Sequence, residues 1–172
     1  MKDELPVRKR IRLQHYDYSN AGYYYVTICA KSRRHIFGKV VGTSVPARPQ
    51  TDQYTIPYVE LSQIGKYIDS AITYYNSNDI VLFDKYVVMP NHVHMIIVIR
   101  SKADDRGRRR IYASLQNIIR NLKSYVTKQV GFSPWQERFH DHVIRDEKDY
   151  LRRWQYIDNN PVKWAEDEYY TE

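Results

Sequence analysis

A chain of 172 residues, 42% hydrophobic and 27% charged, has the makeup of a folded globular protein with its own core, which excludes a disordered one. Lys and Arg number 27 against 20 Asp and Glu, a net charge of +7 that tilts the choice of partner towards nucleic acid or an anionic membrane surface. The single cysteine, Cys29, excludes an internal disulfide and a Cys-rich zinc site; its place in YYYVTICA marks a small buried residue kept reduced in the cytoplasm.

The opening MKDELPVRKRIRLQ is charged and lacks the apolar core of a secretory signal. The longest apolar run, MIIVI at 95–99, is too short to span a bilayer, so no membrane partner is expected. GYYYVTICA at 22–30 is β-branched and aromatic and reads as a strand, followed by a short strand at about 36–41. Residues 42–56, GTSVPARPQTDQYTI, hold two prolines among polar residues and read as an exposed loop. Ile64, Ile68, Ala71, Ile72 and Tyr75 recur at helical spacing, which predicts an amphipathic helix over about 60–76.

DIVLFDKYV at 80–88 and HVHMIIVI at 92–99 are two strands joined by the turn MPN, a predicted antiparallel hairpin. Residues 100–110, RSKADDRGRRR, read as an exposed charged linker. A helix over 113–130 places Leu115, Ile118, Ile119, Leu122, Tyr125 and Val126 on one face, and Gly131 stops it. A short strand at 142–145 precedes a last helix near 146–159, which Pro161 ends. The order β-β-α-β-β-α-β-α predicts an α+β domain over 1–172: one antiparallel sheet with helices packed on one face, ferredoxin-like or RRM-like.

Chemistry enters at PNHVHMIIVI. Side chains two apart on a strand share a face, so His92 and His94 stand together while Val93 points into the helix layer. Two imidazoles on one face can chelate a metal; the plainer alternative is a chance pair that hydrogen-bonds locally. On the last helix, Tyr156 and Asn160 are four apart and share a face. Alone, that pair reads as an exposed aromatic beside a core stripe of Tyr150, Trp154 and Ile157. With the histidines it reads differently. A metal held by His92, His94 and Asn160 can polarise a phosphate, and Tyr156 can attack that phosphate to leave a phosphotyrosine link and a free sugar hydroxyl. Tyr125 and Gln129 have the same spacing, so spacing by itself does not choose between the two tyrosines.

These residues sit in blocks that resemble a known family. His92-Val93-His94 looks like the His-hydrophobic-His motif of single-tyrosine HUH transposases. WQERFHDHVIRDEKDYLRRWQYIDNNPVKW at 135–164 resembles the C-terminal half of the REP-associated tyrosine transposases, the IS200-like group. RIRLQHYDYSNAGYYYVTICAKSRRHIFG looks like that family's lead-in and first strand, so the resemblance runs from about residue 8 to 164. It implies Tyr156 as the nucleophile and Asn160 as the third metal ligand, with Mg²⁺ or Mn²⁺ as the cofactor. It further implies a structured single strand, such as a DNA hairpin, as the substrate, acted on by a monomer or a homodimer.

Arg8, Lys9, Arg10 and Arg12, and the cluster Arg108, Arg109 and Arg110, are candidate phosphate contacts, against the plainer reading of solvated charge runs. A protein of this kind would work in the cytoplasm beside the nucleoid. Two other classes stay open at this point: a non-catalytic hairpin-binding module on an RRM-like sheet, and a small zinc-stabilised structural domain.

Overall fold

The computed structural model describes residues 16–43, 55–77, 79–103, 109–110 and 114–171. Strand β1 (Gly22–Ala30) lies inside a sheet, paired antiparallel with β5 (His92–Ile99) on one side and with β8 (Trp135–Ile144) on the other. Strand β4 (Val81–Val88) pairs with β5, which completes the order β4-β5-β1-β8. Every neighbouring pair is antiparallel, and the two helical crossovers return to non-adjacent positions. That is the split βαβ arrangement of a ferredoxin-like sheet, in line with the predicted class.

The two-residue period of β1 and β5 divides the core. Tyr24, Val26, Ile28, Val93, Met95 and Ile97 face one side, where they pack against Ile68 and Ile72 of α1 (Gln63–Tyr75) and Leu115, Ile118, Ile119 and Leu122 of α2 (Leu115–Val130). Burying a side chain of this size contributes about 1.5–3 kcal/mol, which is why this face fixes the register: a slip by one residue would turn the histidines into the core. Ser62 and Ser114 cap the two helices by accepting from Gly65 N and Asn117 N. Gly131 ends α2 at φ 77°, a left-handed position that suits glycine.

The third helix refines the expected layering. α3 (Glu147–Asn159) crosses the opposite face of the sheet, with Ile157 buried against Tyr25, Ile96 and Ile144, and with Tyr150 and Trp154 packed beside it. The predicted core stripe of α3 is therefore real, but it covers the face that carries the histidines. The reason lies in the strands: Tyr25, Ile96 and Ile144 put an apolar patch on that side which needs a cover.

Several predicted boundaries move. The short strand extends to Thr43 as β2 (Gly38–Thr43), and it pairs with β3 (Thr55–Leu61), a strand where the sequence pattern suggested a loop running into a helix. Of the predicted loop 42–56, only its ends are described; they belong to these strands, and residues 44–54 lie outside the described residues. Pro57 inside β3 obscured the strand, which is tolerated because, among the described residues, β3 pairs on one side only, with β2. The linker 100–110 contains a two-residue ladder of β6 (Lys102–Ala103) and β7 (Arg109–Arg110). The strand predicted at 142–145 is the end of the ten-residue β8, which lies at the sheet edge and mixes polar residues into its pattern. No helix among the described residues is long and apolar enough to cross a membrane.

Candidate metal and tyrosine site

His92 and His94 leave β5 on the α3 side, both fully buried, with ring centroids 4.3 Å apart. The register sets Thr27 opposite His94 and Cys29 opposite His92. Nδ1 of His94 lies 2.8 Å from both the Tyr25 hydroxyl and the Thr27 hydroxyl. Nδ1 of His92 lies 2.9 Å from Oδ1 of Asn91.

Asn91 settles the tautomer of His92. Its Nδ2 donates to the carbonyl of Tyr169 at 2.8 Å and to that of Arg33 at 3.2 Å, so the atom facing His92 is the carbonyl oxygen. An oxygen acceptor requires a proton on Nδ1 of His92, which in the neutral ring leaves Nε2 with a lone pair. This is the outer support that orients histidine ligands in metal sites.

The inner atoms are the informative ones. Nε2 of His92, Nε2 of His94 and Oδ1 of Asn160 are all buried without a hydrogen-bond partner. Leaving one such atom unsatisfied costs about 1–3 kcal/mol, and three of them in one place call for a guest. The Asn160 side chain lies near enough to His92 to favour its protonation slightly, yet no hydrogen bond of ordinary geometry reaches Oδ1. Two imidazole nitrogens and an amide oxygen fit a divalent cation of intermediate hardness.

The structure adds a residue that the sequence pattern did not single out. Asp167 follows α3 and a 3₁₀ turn (Trp164–Glu166) and folds back over the site. Its Oδ2 accepts from the Tyr156 hydroxyl at 2.7 Å and from Nδ2 of Asn160 at 2.5 Å, and lies 3.9 Å from Nε2 of His94. Ligand atoms of His92, His94 and Asp167 lie within 4.8 Å of one another, so this carboxylate is a further candidate ligand. Asp167 stands seven residues beyond Asn160, past Pro161 and outside any helical period, so nothing in the spacing marked it. The same tail is tied down by Thr171, which donates to the carbonyl of Arg33, and by Arg33, which donates to that of Glu168.

Electrostatics follow from this crowding. Burial holds His92 well below the usual imidazole value, His94 beside it adds to the effect, and Asp167 opposes it. Burial lowers His94 too, against the pull of Asp167. Both rings are therefore neutral and free to ligate near neutral pH. Burial pushes the Asp167 carboxyl up, but the approach of His94 and the bonds from Tyr156 and the Tyr169 amide outweigh it and hold it well below the usual range. Burial, and then the bond to Asp167, raise the Tyr156 phenol above its ordinary value.

Tyr156 is 37% exposed, with its ring 5.2 Å from that of His94. The structure thus brings His92, His94, Tyr156 and Asn160 together. Tyr125 sits on α2, across the sheet from the histidines, and is separated from them by the main core. Arg109 and Arg110 form β7, while Arg8, Lys9, Arg10, Arg12 and Arg108 lie outside the described residues.

No family model matches the chain. It is 30% identical over 188 aligned positions to an uncharacterized protein of Haemophilus influenzae, covering 96% of this chain and 94% of that one. It is 37% identical over 79 residues to the REP-associated tyrosine transposase of Escherichia coli, covering 45% of this chain and 42% of that protein. Its fold is similar to that of a REP-associated tyrosine transposase solved bound to a REP hairpin, at a TM-score of 0.57 and 23% identity, over 90% of this chain and 74% of the other. What the chain shares with the REP-associated tyrosine transposases is thus a partial sequence match and the fold. The match to the Escherichia coli transposase spans less than half of that protein, so activity and substrate have to be argued from the site itself.

Proposed function

We propose that this protein is a transposase that cleaves and rejoins single-stranded DNA through a covalent phosphotyrosine intermediate, with residues 1–172 acting as one catalytic domain on hairpin-forming repeat DNA in the cytoplasm. The observation that carries this reading is the meeting of three buried, unpartnered ligand atoms, on His92, His94 and Asn160, beside the half-exposed Tyr156. The REP hairpin bound by the structural neighbour supports a hairpin substrate.

His92, His94 and Asn160 would hold Mg²⁺ or Mn²⁺, with Asp167 within reach as a fourth ligand. A cation there supplies polarisation of the scissile phosphate and stabilisation of the charge that develops on it. Tyr156 is the attacking group. Its phenolic oxygen forms a bond to phosphorus, its proton leaves to solvent, and the phosphorus–sugar oxygen bond breaks. The departing sugar oxygen keeps the electron pair and takes up a proton, giving a free hydroxyl. The phosphodiester energy is conserved in the link, so the reverse attack by another sugar hydroxyl rejoins a strand without ATP. Arg8, Lys9, Arg10, Arg12 and the cluster Arg108–Arg110 would contact backbone phosphates outside the site.

The test is a denaturing gel of the full chain with labelled, hairpin-bearing single strands and Mn²⁺. A covalent adduct is expected, absent in Tyr156→Phe, retained in Tyr125→Phe, and lost with chelator. Binding without an adduct under all these conditions would replace this reading with that of a hairpin-binding module.

A further inference from the structure

Arg153 precedes Tyr156 by three residues on α3, so the two side chains leave the helix on one face. Both line a cavity of about 490 Å³ together with Tyr25, Thr27, His140 and Tyr169. The Arg153 guanidinium lies 4.9 Å from the centre of the Tyr25 ring, over the aromatic that supports His94.

Its carboxylate partner is engaged elsewhere. Asp149 accepts from Arg152 at 2.6 Å and pairs with His142 at 2.5 Å, while Nε of Arg153 stands 3.5 Å away. That Nε is buried and has no hydrogen-bond partner. The same cavity is lined by Asp141, Glu166 and Glu168. A phosphate entering it meets carboxylates, and Arg153 is the one lysine or arginine among the described lining residues to offset them. Arginine keeps its charge at any working pH and offers several donors in a planar fork that matches phosphate oxygens.

We propose that Arg153 binds the non-bridging oxygens of the phosphate that Tyr156 attacks, as a second catalytic residue of the strand-transfer reading, on which this inference rests. It neutralises the charge that develops on those oxygens.

The test uses two substrates. The cleaved phosphate is mapped with the wild-type chain, and the same single strand is then made with an uncharged methylphosphonate at that position. Single-turnover adduct formation with Mn²⁺ is followed for the wild type, Arg153→Lys and Arg153→Ala. On the ordinary phosphate, Arg153→Ala is expected to slow adduct formation on the order of 100-fold, with Arg153→Lys in between. On the methylphosphonate, which has one charged oxygen fewer to offset, the loss is expected to shrink to roughly threefold or less. The Mn²⁺-induced rise in melting temperature should stay as in the wild type, because Arg153 is no ligand. Equal losses on both substrates, or none on either, overturn the role of Arg153 while leaving the strand-transfer reading intact. A wild type that forms no adduct with any hairpin strand overturns that reading and this inference with it.

Discussion

The hydroxyl of Tyr156 donates to the carboxylate of Asp167 at 2.7 Å, and the same oxygen accepts from Asn160 at 2.5 Å. One carboxylate oxygen therefore ties Tyr156 to a metal-ligand candidate. A phenol that donates to an anion holds its proton harder, so in this arrangement Tyr156 is kept in its neutral form. Asp167→Asn should lower the pH at which Tyr156 ionises, read as the difference in ultraviolet phenolate absorbance between that variant and its Tyr156→Phe double variant. An unchanged titration would mean that burial alone, the larger cause, sets the phenol.

Filling the site should stabilise the fold. At a cation concentration 100 times the dissociation constant, binding adds about 2.7 kcal/mol, worth roughly 5–10 °C of melting temperature for a chain of this size. Differential scanning fluorimetry with Mn²⁺ against chelator should show this rise in the wild type. His92→Ala and Asn160→Ala should lose most of it.

Acid should weaken the protein in two separate windows. His92 and His94 have folded-state values below that of an unfolded imidazole, about 6.5. The unfolded chain therefore binds protons first as pH falls, so the stability that comes from burying neutral rings is complete above about pH 6.5 and declines below it. Asp167, also lowered, keeps its contribution until pH falls through about 3.9, the unfolded carboxylate value, and loses it progressively below. Urea midpoints measured from pH 8 down to about pH 2 should fall first in the upper window and again in the lower one. Replacing both histidines by Gln should flatten that limb and leave the lower one.

The tautomer of His92 hangs on Asn91. With Asn91→Ala the proton is free to move to the ring nitrogen that would otherwise ligate, and the ring loses its anchor. Mn²⁺ affinity by calorimetry should drop about 10–100-fold, as for other outer-shell partners of metal-bound histidine. An affinity within about twofold of the wild type would show that the strand alone orients the ring.

Much of this was legible in the linear chain, and for identifiable reasons. The alternation of His92, Val93, His94 and Met95 follows the two-residue period of a strand, so the pairing of the histidines and the inward turn of Val93 could be read directly. The apolar stripe Tyr150, Trp154 and Ile157 follows the helical period, and it places Tyr156 and Asn160 on their own shared face of α3. Strand β3 was hidden because Pro57 and a polar approach look like loop chemistry, and the long edge strand β8 because its polar residues break the alternation.

What the sequence by itself determined is local: which residues share a face of β5 and which share a face of α3, since backbone geometry sets both periods. What only the tertiary structure decided is which sheet face α3 covers. It lies over Tyr25 and Ile96, because that apolar patch would otherwise face water, and so Tyr156 and Asn160 meet the histidines while Tyr125 stays on the far side. The return of the tail that sets Asp167 between Tyr156, Asn160 and His94 is likewise tertiary. It depends on contacts of Asn91, Arg33 and Thr171, residues far apart in the chain whose meeting no periodicity encodes.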